Sequence, residues 1–279
     1  MTVLSRLEVE KRIKSGKPLS MVDLEGINLE RADLEGAVIV KCNLRNAQMS
    51  MVNLNCARLS ESDLSGAVLR EARLQEALLA DTLLTDTDFS GAVLVEASFK
   101  HARMERTLFQ DANMASAFMI EAEGFMVNFT SANLKRAYLN GSTLLVSILD
   151  DCQADMMSAI QTDFSGSSFR RAAMDRAVLL GANFSMATLE QTMLRGCPLK
   201  NANFCASDLR GARLTKSNLE FAHLLKVNAE GAMLDGVNLH GATMMQGNFK
   251  GVNFNHANLE QAITDDADFD GATFEETRR

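Results

Sequence analysis

Large apolar residues recur at every fifth position along almost the whole chain. The first is Leu19 and the last is Phe274, and no insertion or deletion interrupts the spacing between them. Of the 52 positions in this series, which we call centres, 47 carry Leu, Ile, Met or Phe. The exceptions are Gly124, Ala154, Ala159, Ala229 and Thr264. Residues at every fifth position of an α-helix are distributed around its whole circumference and form no single apolar face. The pattern therefore excludes a helical bundle.

A second series, of small residues, precedes the centres by two positions. Ala, Cys, Ser, Thr, Val or Gly fills 49 of its 51 places from Val22 to Ala272, with Ile27 and Met157 as exceptions. Residues two apart in an extended chain point to the same side, so both series point inward and the residue between them points outward. The other two residues of each five must turn the chain. The pattern therefore predicts short strands joined by turns, stacked in parallel about 4.8 Å apart.

Residues 1–16 precede the repeat and predict a short helix. Ser5 and Glu8 fit a capping box, and Gly16 fits a helix stop. Charged residues separate the apolar positions Val3, Leu4, Leu7 and Ile13. Because repeat proteins need covered ends, we expect this helix to cap the first coil. The predicted organisation is a helical cap at 1–16 and one β-helix domain at 17–279.

The five-residue pattern resembles a known repeat. Segments such as Ala32–Gly36, Ala132–Arg136 and Ala202–Ala206 follow the form A-(D/N)-L-x-x. This form is similar to that of the pentapeptide-repeat family, over residues 17–276. The resemblance implies an all-β fold, a right-handed quadrilateral parallel β-helix with about 20 residues per coil. Four centres per coil would give about 13 coils and a rod about 60 Å long.

Composition and charge narrow the range of partners. The net charge is −8, from 36 acidic residues against 28 Lys and Arg. Binding to a phosphate backbone needs clustered Lys and Arg, so we expect no direct nucleic-acid partner. The sequence shows neither the apolar core of a signal peptide nor a membrane-length apolar run, and its five cysteines have no C-x-x-C spacing. We expect a cytoplasmic protein without a membrane partner.

No group of residues predicts catalysis. All four histidines occupy outward positions without ligand spacing; they are His101, His223, His240 and His256. Three of the cysteines fall in the small inward series and are expected to fill the core. Asp150, Asp151 and Asp155 lie beside two undersized centres, and the oversized Met157 between these suggests compensated packing. We expect a local distortion of the coil here rather than a pair of catalytic carboxylates. We therefore predict no enzyme activity, no cofactor and no metal.

Outward apolar residues near the middle of the chain are more informative. With about 20 residues per coil, residues separated by one coil stack on one face. The residues gathered in this way are Phe118, Ile120, Tyr138, Ile160, Val178 and Leu180, with Phe125, Met126, Leu145 and Val146 on the adjoining face. A contiguous exposed apolar patch usually marks an interaction site, so we predict that these residues bind another protein. The alternative is that Phe125 folds into the space left by Gly124.

The last repeats carry another apolar group. Phe269 and Phe274 belong to the final coil, with Phe249 and Phe254 one coil behind. We expect a homodimer joined through these residues, because pairing would cover both apolar surface and strand edges. The carboxylates of Asp265, Asp266, Asp268, Asp270, Glu275 and Glu276 would crowd near the two-fold axis, so this dimer should weaken at low salt.

These features favour a non-enzymatic, rod-like binding scaffold or adaptor. Two alternatives follow from the family resemblance. Quinolone-resistance members protect DNA gyrase as dimeric rods with an acidic, DNA-like surface; here the acidic charge is interrupted, since residues 41–60 carry +3. A helix running through Gly16–Leu19 into repeats is also similar to pentapeptide modules of type VI secretion components and effectors.

Overall fold

In the computed structural model, residues 4–279 are described, and Val3 lies outside them. Over this range the chain has one helix, α1 (Arg6–Lys14), and no helix long and apolar enough to cross a membrane. Its short strands are β1 (Leu19–Ser20), β2 (Ile39–Val40), β3 (Arg103–Glu105), β4 (Glu123–Phe125) and β5 (Thr143–Leu145). Most other residues lie in turns or in isolated parallel bridges.

The helix α1 forms as the capping residues predict and packs against β1. The Glu8 carboxylate accepts a hydrogen bond from the Ser5 N–H at 2.8 Å, and this bond lowers the pKa of Glu8. The apolar side chains of the helix differ in burial. Val9 is fully buried, whereas Leu7 is 77% exposed. A nine-residue helix buries one narrow face, and Val9 rather than Leu7 lies on it.

The chain divides into two compact units, the first ending at Tyr138 and the second covering Leu139–Arg279. Within each unit, parallel bridges join residues that are 20 apart in sequence. Four bridge positions recur in every coil; in the first coil they are Asp23, Asn28, Asp33 and Val38. Each unit is therefore a parallel β-helix solenoid, in which every five-residue repeat supplies one bridge.

Hydrogen bonds between coils follow one repeated scheme. The N–H of a centre donates to a carbonyl in the next coil, as from Leu34 to Asn53 at 2.8 Å. The N–H of the outward residue donates to the previous coil, as from Asn53 to Ala32 at 2.9 Å. Because both directions are used at each bridge, the backbone polar groups of the coil are satisfied by its two neighbours.

The turn after each centre has the features of a type II turn. In the turn that begins at Leu64, the Ala67 N–H donates to the Leu64 carbonyl at 2.8 Å. Gly66, the third residue of this turn, has a φ of +71°, which type II turns require at that position. The same position is left-handed throughout both units, although it often carries a residue with a side chain. A left-handed backbone at a residue with a side chain costs roughly 1–2 kcal/mol in strain. The stacking of the coils offsets this cost.

Inward side chains pack in stacked columns. In the first unit, the Phe109 ring lies 5.1 Å from Phe89 and 5.2 Å from Phe129, nearly parallel to both. In the second, Phe184 and Phe204 stack at 5.1 Å. These rings are fully buried. The small inward series leaves room for them, as the sequence pattern predicts.

Buried hydroxyls in the small inward series are all used. Thr87 Oγ1 donates to the Leu64 carbonyl at 2.9 Å, and Thr192 Oγ1 donates to the Phe169 carbonyl at 2.7 Å. Over residues 4–279, no buried side-chain nitrogen or oxygen lacks a partner. A hydroxyl group in the core is therefore tolerated where it can donate a hydrogen bond to the backbone carbonyl of a centre residue, here one in the preceding coil.

The undersized centres Ala154 and Ala159 are compensated by Met157, which is fully buried between them. The bridge from Gln153 to Ala173 keeps the common register here. The expected local distortion is therefore wrong for the strand pairing, because one larger side chain in the small series replaces the missing volume.

We expect Leu134→Asp to lower the free energy of unfolding by at least about 4 kcal/mol, since it deletes a fully buried side chain and puts a carboxyl group in its place. Chemical denaturation followed by circular dichroism measures the change. Arg136→Asp, at an exposed position in the same repeat, is the control and should change stability by less than about 1 kcal/mol. Equal effects of the two substitutions would contradict the core assignment.

Two glycines separate backbone strain from side-chain contact. Gly231 and Gly241 have φ of +66° and +64°; a Cβ at 231 would meet nothing within 4 Å, whereas one at 241 would lie 2.5 Å from the Phe221 ring. Gly231→Ala should cost about 1 kcal/mol of stability. Gly241→Ala should cost about 1–2 kcal/mol more, because the ring must move. Thermal denaturation of both variants tests this, and equal costs would contradict the contact at Phe221.

Candidate interaction surfaces

Phe118 and Tyr138 form an exposed aromatic pair in the first unit. They are bridge partners in successive coils, and their rings stack at 5.1 Å with an interplanar angle of 5°. They are 36% and 40% exposed. Ile120 lies beside them and is partly exposed. We call Phe118, Ile120 and Tyr138 the aromatic patch, and the structure stacks Phe118 on Tyr138 as the predicted register requires.

The same outward column extends further than the sequence analysis proposed. Leu78 bridges to Ser98, and Ser98 bridges to Phe118. Leu78 is exposed, so an apolar side chain precedes the aromatic patch by two coils. The signal was available in the sequence, because Leu78 stands at the outward position of its repeat, two coils before Phe118.

Phe125 and Met126 lie on the adjoining face of the first unit, and both are exposed. Phe125 belongs to β4 and bridges to Glu105. The alternative that Phe125 folds into the space left by Gly124 is therefore wrong. The side chain of Phe125 points outward because the bridge fixes the alternation of the strand.

The other candidate residues belong to the second unit. Val146 and Leu180 are exposed, and the remaining three, Leu145, Ile160 and Val178, are partly exposed. Val178 bridges to Ser158. These residues are less prominent than the aromatic patch, and their role in binding stays a prediction.

The last coil of the second unit presents the aromatic groups expected at a dimer interface. Phe269 and Phe274 are partly exposed, and they stack at 5.4 Å and 5.3 Å on the fully buried Phe249 and Phe254. Together with Leu259, Ala262 and Arg279, the exposed pair lines a concavity of about 420 Å³. Phe249 and Phe254 thus support this surface from beneath, and pairing with a second copy stays a prediction.

The acidic cluster does not form a shared carboxylate site. Each carboxylate accepts a hydrogen bond from the next coil: Asp150 from the Arg170 N–H, Asp151 from the Arg171 guanidinium and Asp155 from the Asp175 N–H. Burial raises the pKa of Cys152 to about 12, with a further contribution from these carboxylates, so its thiol stays protonated. Among the described residues, no group of three or more His, Cys, Asp and Glu is placed to hold a metal ion.

A ladder of alternating charges runs along one outward column of the second unit. Its members, one per coil, are Asp150, Arg170, Glu190, Arg210, Glu230, Lys250 and Asp270, and Asp150 lies 3.8 Å from Arg170 Nη1. The Glu190 carboxylate lies 3.8 Å from Arg170 Nε and 3.9 Å from Arg210 Nη2. We call the last six of these residues, Arg170 to Asp270, the charge ladder. The sequence analysis missed it, since charges were summed over segments rather than compared from one coil to the next.

The comparison with protein families identifies the repeat. The family model described as Pentapeptide repeats matches residues 19–55, 53–91, 72–111, 160–196, 182–220, 212–251 and 252–278. These segments cover well over half of the chain. This chain is a pentapeptide-repeat protein.

Several solved structures of pentapeptide-repeat proteins are similar to this one. HetL, involved in heterocyst differentiation regulation in the cyanobacterium Nostoc sp. strain PCC 7120, is 24% identical over 96% of both chains, with a TM-score of 0.28. QnrB1, a plasmid-mediated fluoroquinolone resistance protein, is 15% identical over 92% of both chains, with a TM-score of 0.33. Rfr23 from the cyanobacterium Cyanothece 51142 is 25% identical over 40% of this chain and 63% of its own, with a TM-score of 0.19. No curated protein matches the sequence significantly. TM-scores this low do not define equivalent residues, so the family assignment rests on the repeat match.

Proposed function

We propose that this pentapeptide-repeat protein is a non-enzymatic scaffold that binds another protein through the aromatic patch of its first unit. The observation that carries the proposal is the stacked, exposed pair of Phe118 and Tyr138. Aromatic residues dominate the energy of protein interfaces because they bury a large area at a small cost in side-chain entropy. Here the bridge between the two coils already fixes both side chains, so little ordering remains for binding.

The surroundings of the aromatic patch suit a protein partner. Lys100 is exposed near its edge, and His101 pairs with Glu121 at 3.4 Å. An apolar centre with a polar rim is the usual arrangement of a binding surface on a protein that also exists unbound. The partner would bury the rings and keep the charged groups at the periphery.

The scaffold itself is proposed to be the right-handed, four-sided coil that the family resemblance implies. Its 52 centres, at four bridges per coil, correspond to about 13 coils. A cytoplasmic location is proposed with it.

A DNA-like acidic surface that acts on gyrase is less well supported. Such a surface needs a continuous strip of negative charge. On the charge ladder, the carboxylates alternate with Arg and Lys, and elsewhere Arg171 pairs with Asp151 and Arg195 with Asp175. No observation favours a secretion-associated role over the scaffold.

The double substitution Phe118→Asp with Tyr138→Asp should weaken partner binding at least about 100-fold, because two aromatic anchors are lost. Stability should fall by less than about 1.5 kcal/mol, since both rings are exposed and only their stacking contributes. Affinity capture with wild-type and variant protein, followed by mass spectrometry, identifies the ligand that is lost, and titration calorimetry with that ligand measures the change.

Phe221→Asp is the matched control for this experiment. Phe221 is an aromatic residue of the second unit, 40% exposed like Tyr138, and its substitution should leave partner binding intact. An unchanged set of captured proteins with the double variant would refute the proposal. If the double variant lost several times more stability than this bound allows, the rings would serve the fold instead.

A further inference from the structure

The charge ladder alternates in sign over six consecutive coils, and Asp150 continues the alternation one coil before it. Its order is Arg170, Glu190, Arg210, Glu230, Lys250 and Asp270. A neighbouring outward column behaves differently: Asp155 is followed by Asp175, Arg195 and the uncharged Thr215. Alternation of charge sign is therefore not a general property of the repeat, and in this column it requires a specific explanation.

Contacts within the ladder leave much of its charge available. The distances of 3.8 Å and 3.9 Å from Glu190 to its two arginines are longer than hydrogen bonds. The side chains of Arg170, Arg210 and Lys250 are 45–48% exposed. Exposed pairs of this kind add little to the stability of a fold.

Two of the basic residues also pair with the adjacent outward column. Arg210 bonds to Asp208 at 2.7 Å, and Lys250 lies 3.2 Å from Asp268. Both side chains are about half exposed. Each cation can therefore pair with a second carboxylate while it keeps its contact with the first. A second charged surface could therefore approach the ladder without breaking buried bonds.

We propose that the charge ladder is a self-complementary interface, which pairs this face of the second unit with the same face of a second copy in antiparallel orientation. A two-fold axis between Arg210 and Glu230 sets each positive row against a negative one. Arg210 then meets Glu230 of the second copy, Glu190 meets its Lys250, and Arg170 meets its Asp270. Each pair occurs twice, so all six rows of the ladder are matched, and Asp150, one coil before the ladder, has no counterpart in the second copy.

Of the possible arrangements of two copies, the antiparallel one forms a closed dimer with every row of the ladder paired. A parallel copy in register would place like charges opposite each other, which is unfavourable. A parallel copy shifted by one coil would match charges but leave rows unpaired at both ends, and such head-to-tail contacts do not close. The two-fold arrangement gives each copy the same surroundings.

The residues beside the ladder make close approach possible. Over the six coils of the ladder, the column on one side holds Arg171, Gln191, Gly211, Gly231, Gly251 and Gly271, and the column on the other holds Ser168, Thr188, Asp208, Asn228, Asn248 and Asp268. The two-fold axis lies in the interface, perpendicular to the direction in which the coils stack. It reverses the order of the coils but sets each column opposite the same column of the second copy. Gly211 therefore faces Gly231 of the second copy at the centre, where no side chain separates the two backbones, and further out Gln191 and Arg171 each face a glycine, Gly251 and Gly271. Asp208 faces Asn228, so a carboxylate meets an amide that can donate a hydrogen bond to it.

The dimer should be weak and sensitive to salt. Six rows about 4.8 Å apart span about 24 Å, which is small for a specific interface. The pairs lie at the surface, so screening reduces their attraction. We expect dimerisation in the range of tens to hundreds of micromolar, roughly, at about 50 mM salt, and at least tenfold weaker association at about 500 mM.

Two complementary variants test the proposal. Glu190→Arg with Glu230→Arg and Asp270→Arg makes all six residues of the ladder basic, and Arg170→Glu with Arg210→Glu and Lys250→Glu makes all six acidic. Each variant alone should dimerise at least tenfold more weakly than wild type in sedimentation equilibrium. An equimolar mixture of the two should restore dimers, because opposite charges again face each other. Circular dichroism establishes that both variants are folded, and recovery in the mixture would itself require folded ladders.

A control triple variant places the same charge change elsewhere in the second unit. Arg213→Glu, Lys216→Glu and Lys226→Glu alter exposed positions outside the ladder and should leave dimerisation within about threefold of wild type. Phe274→Asp should also leave it intact, which separates the ladder from pairing through Phe269 and Phe274. The proposal is overturned if wild type stays monomeric at about 1 mM and low salt. It is likewise overturned if the ladder variants dimerise as wild type does, or if their mixture stays monomeric.

Discussion

The bridge between residues 20 apart is the constraint on which the rest of the structure depends. Each repeat donates backbone hydrogen bonds to the coil after it and the coil before it, as Leu34 and Asn53 do. This register fixes which side chains stack, both inside and outside. Inside, it places Phe89, Phe109 and Phe129 in one column. Outside, the side chains that lie next to each other along a column are 20 residues apart in the sequence, so surface properties depend on columns rather than on sequence neighbours.

Stacking at about 4.8 Å creates an electrostatic problem, since like charges in one column would repel. The second unit shows two solutions. In the column of Asn218, Asn238 and Asn258, Asn238 Nδ2 donates to Asn218 Oδ1 and Asn258 Nδ2 donates to Asn238 Oδ1, both at 3.1 Å. An amide can donate and accept at once, so identical residues attract each other. The charge ladder is the ionic solution, in which the sign alternates. An amide column satisfies itself, whereas a ladder of exposed charges remains able to bind a second ladder.

The sequence predicted the period, the inward series, the parallel stacking and α1, because each follows from local spacing or capping chemistry. It was less informative about the surface. The outward columns depend on the length of a coil, which a period of five does not determine. With that length taken from the family resemblance, the stack of Phe118 and Tyr138 was predictable, but Leu78 and the charge ladder were overlooked. The apolar positions of so short a helix allow more than one buried face, so the sequence did not distinguish Val9, which is buried, from Leu7, which is exposed.

The two surfaces differ in the physics of binding. The aromatic patch of the first unit would bind by removing apolar rings from water, a contribution that added salt does not screen. The charge ladder of the second unit would bind by matching charges, which added salt weakens. Salt therefore separates them: a partner held by Phe118 and Tyr138 stays bound at an ionic strength that dissociates the ladder. If partner binding and self-association were lost together as salt rises, the aromatic patch would not be the main site, and charge would have to account for both.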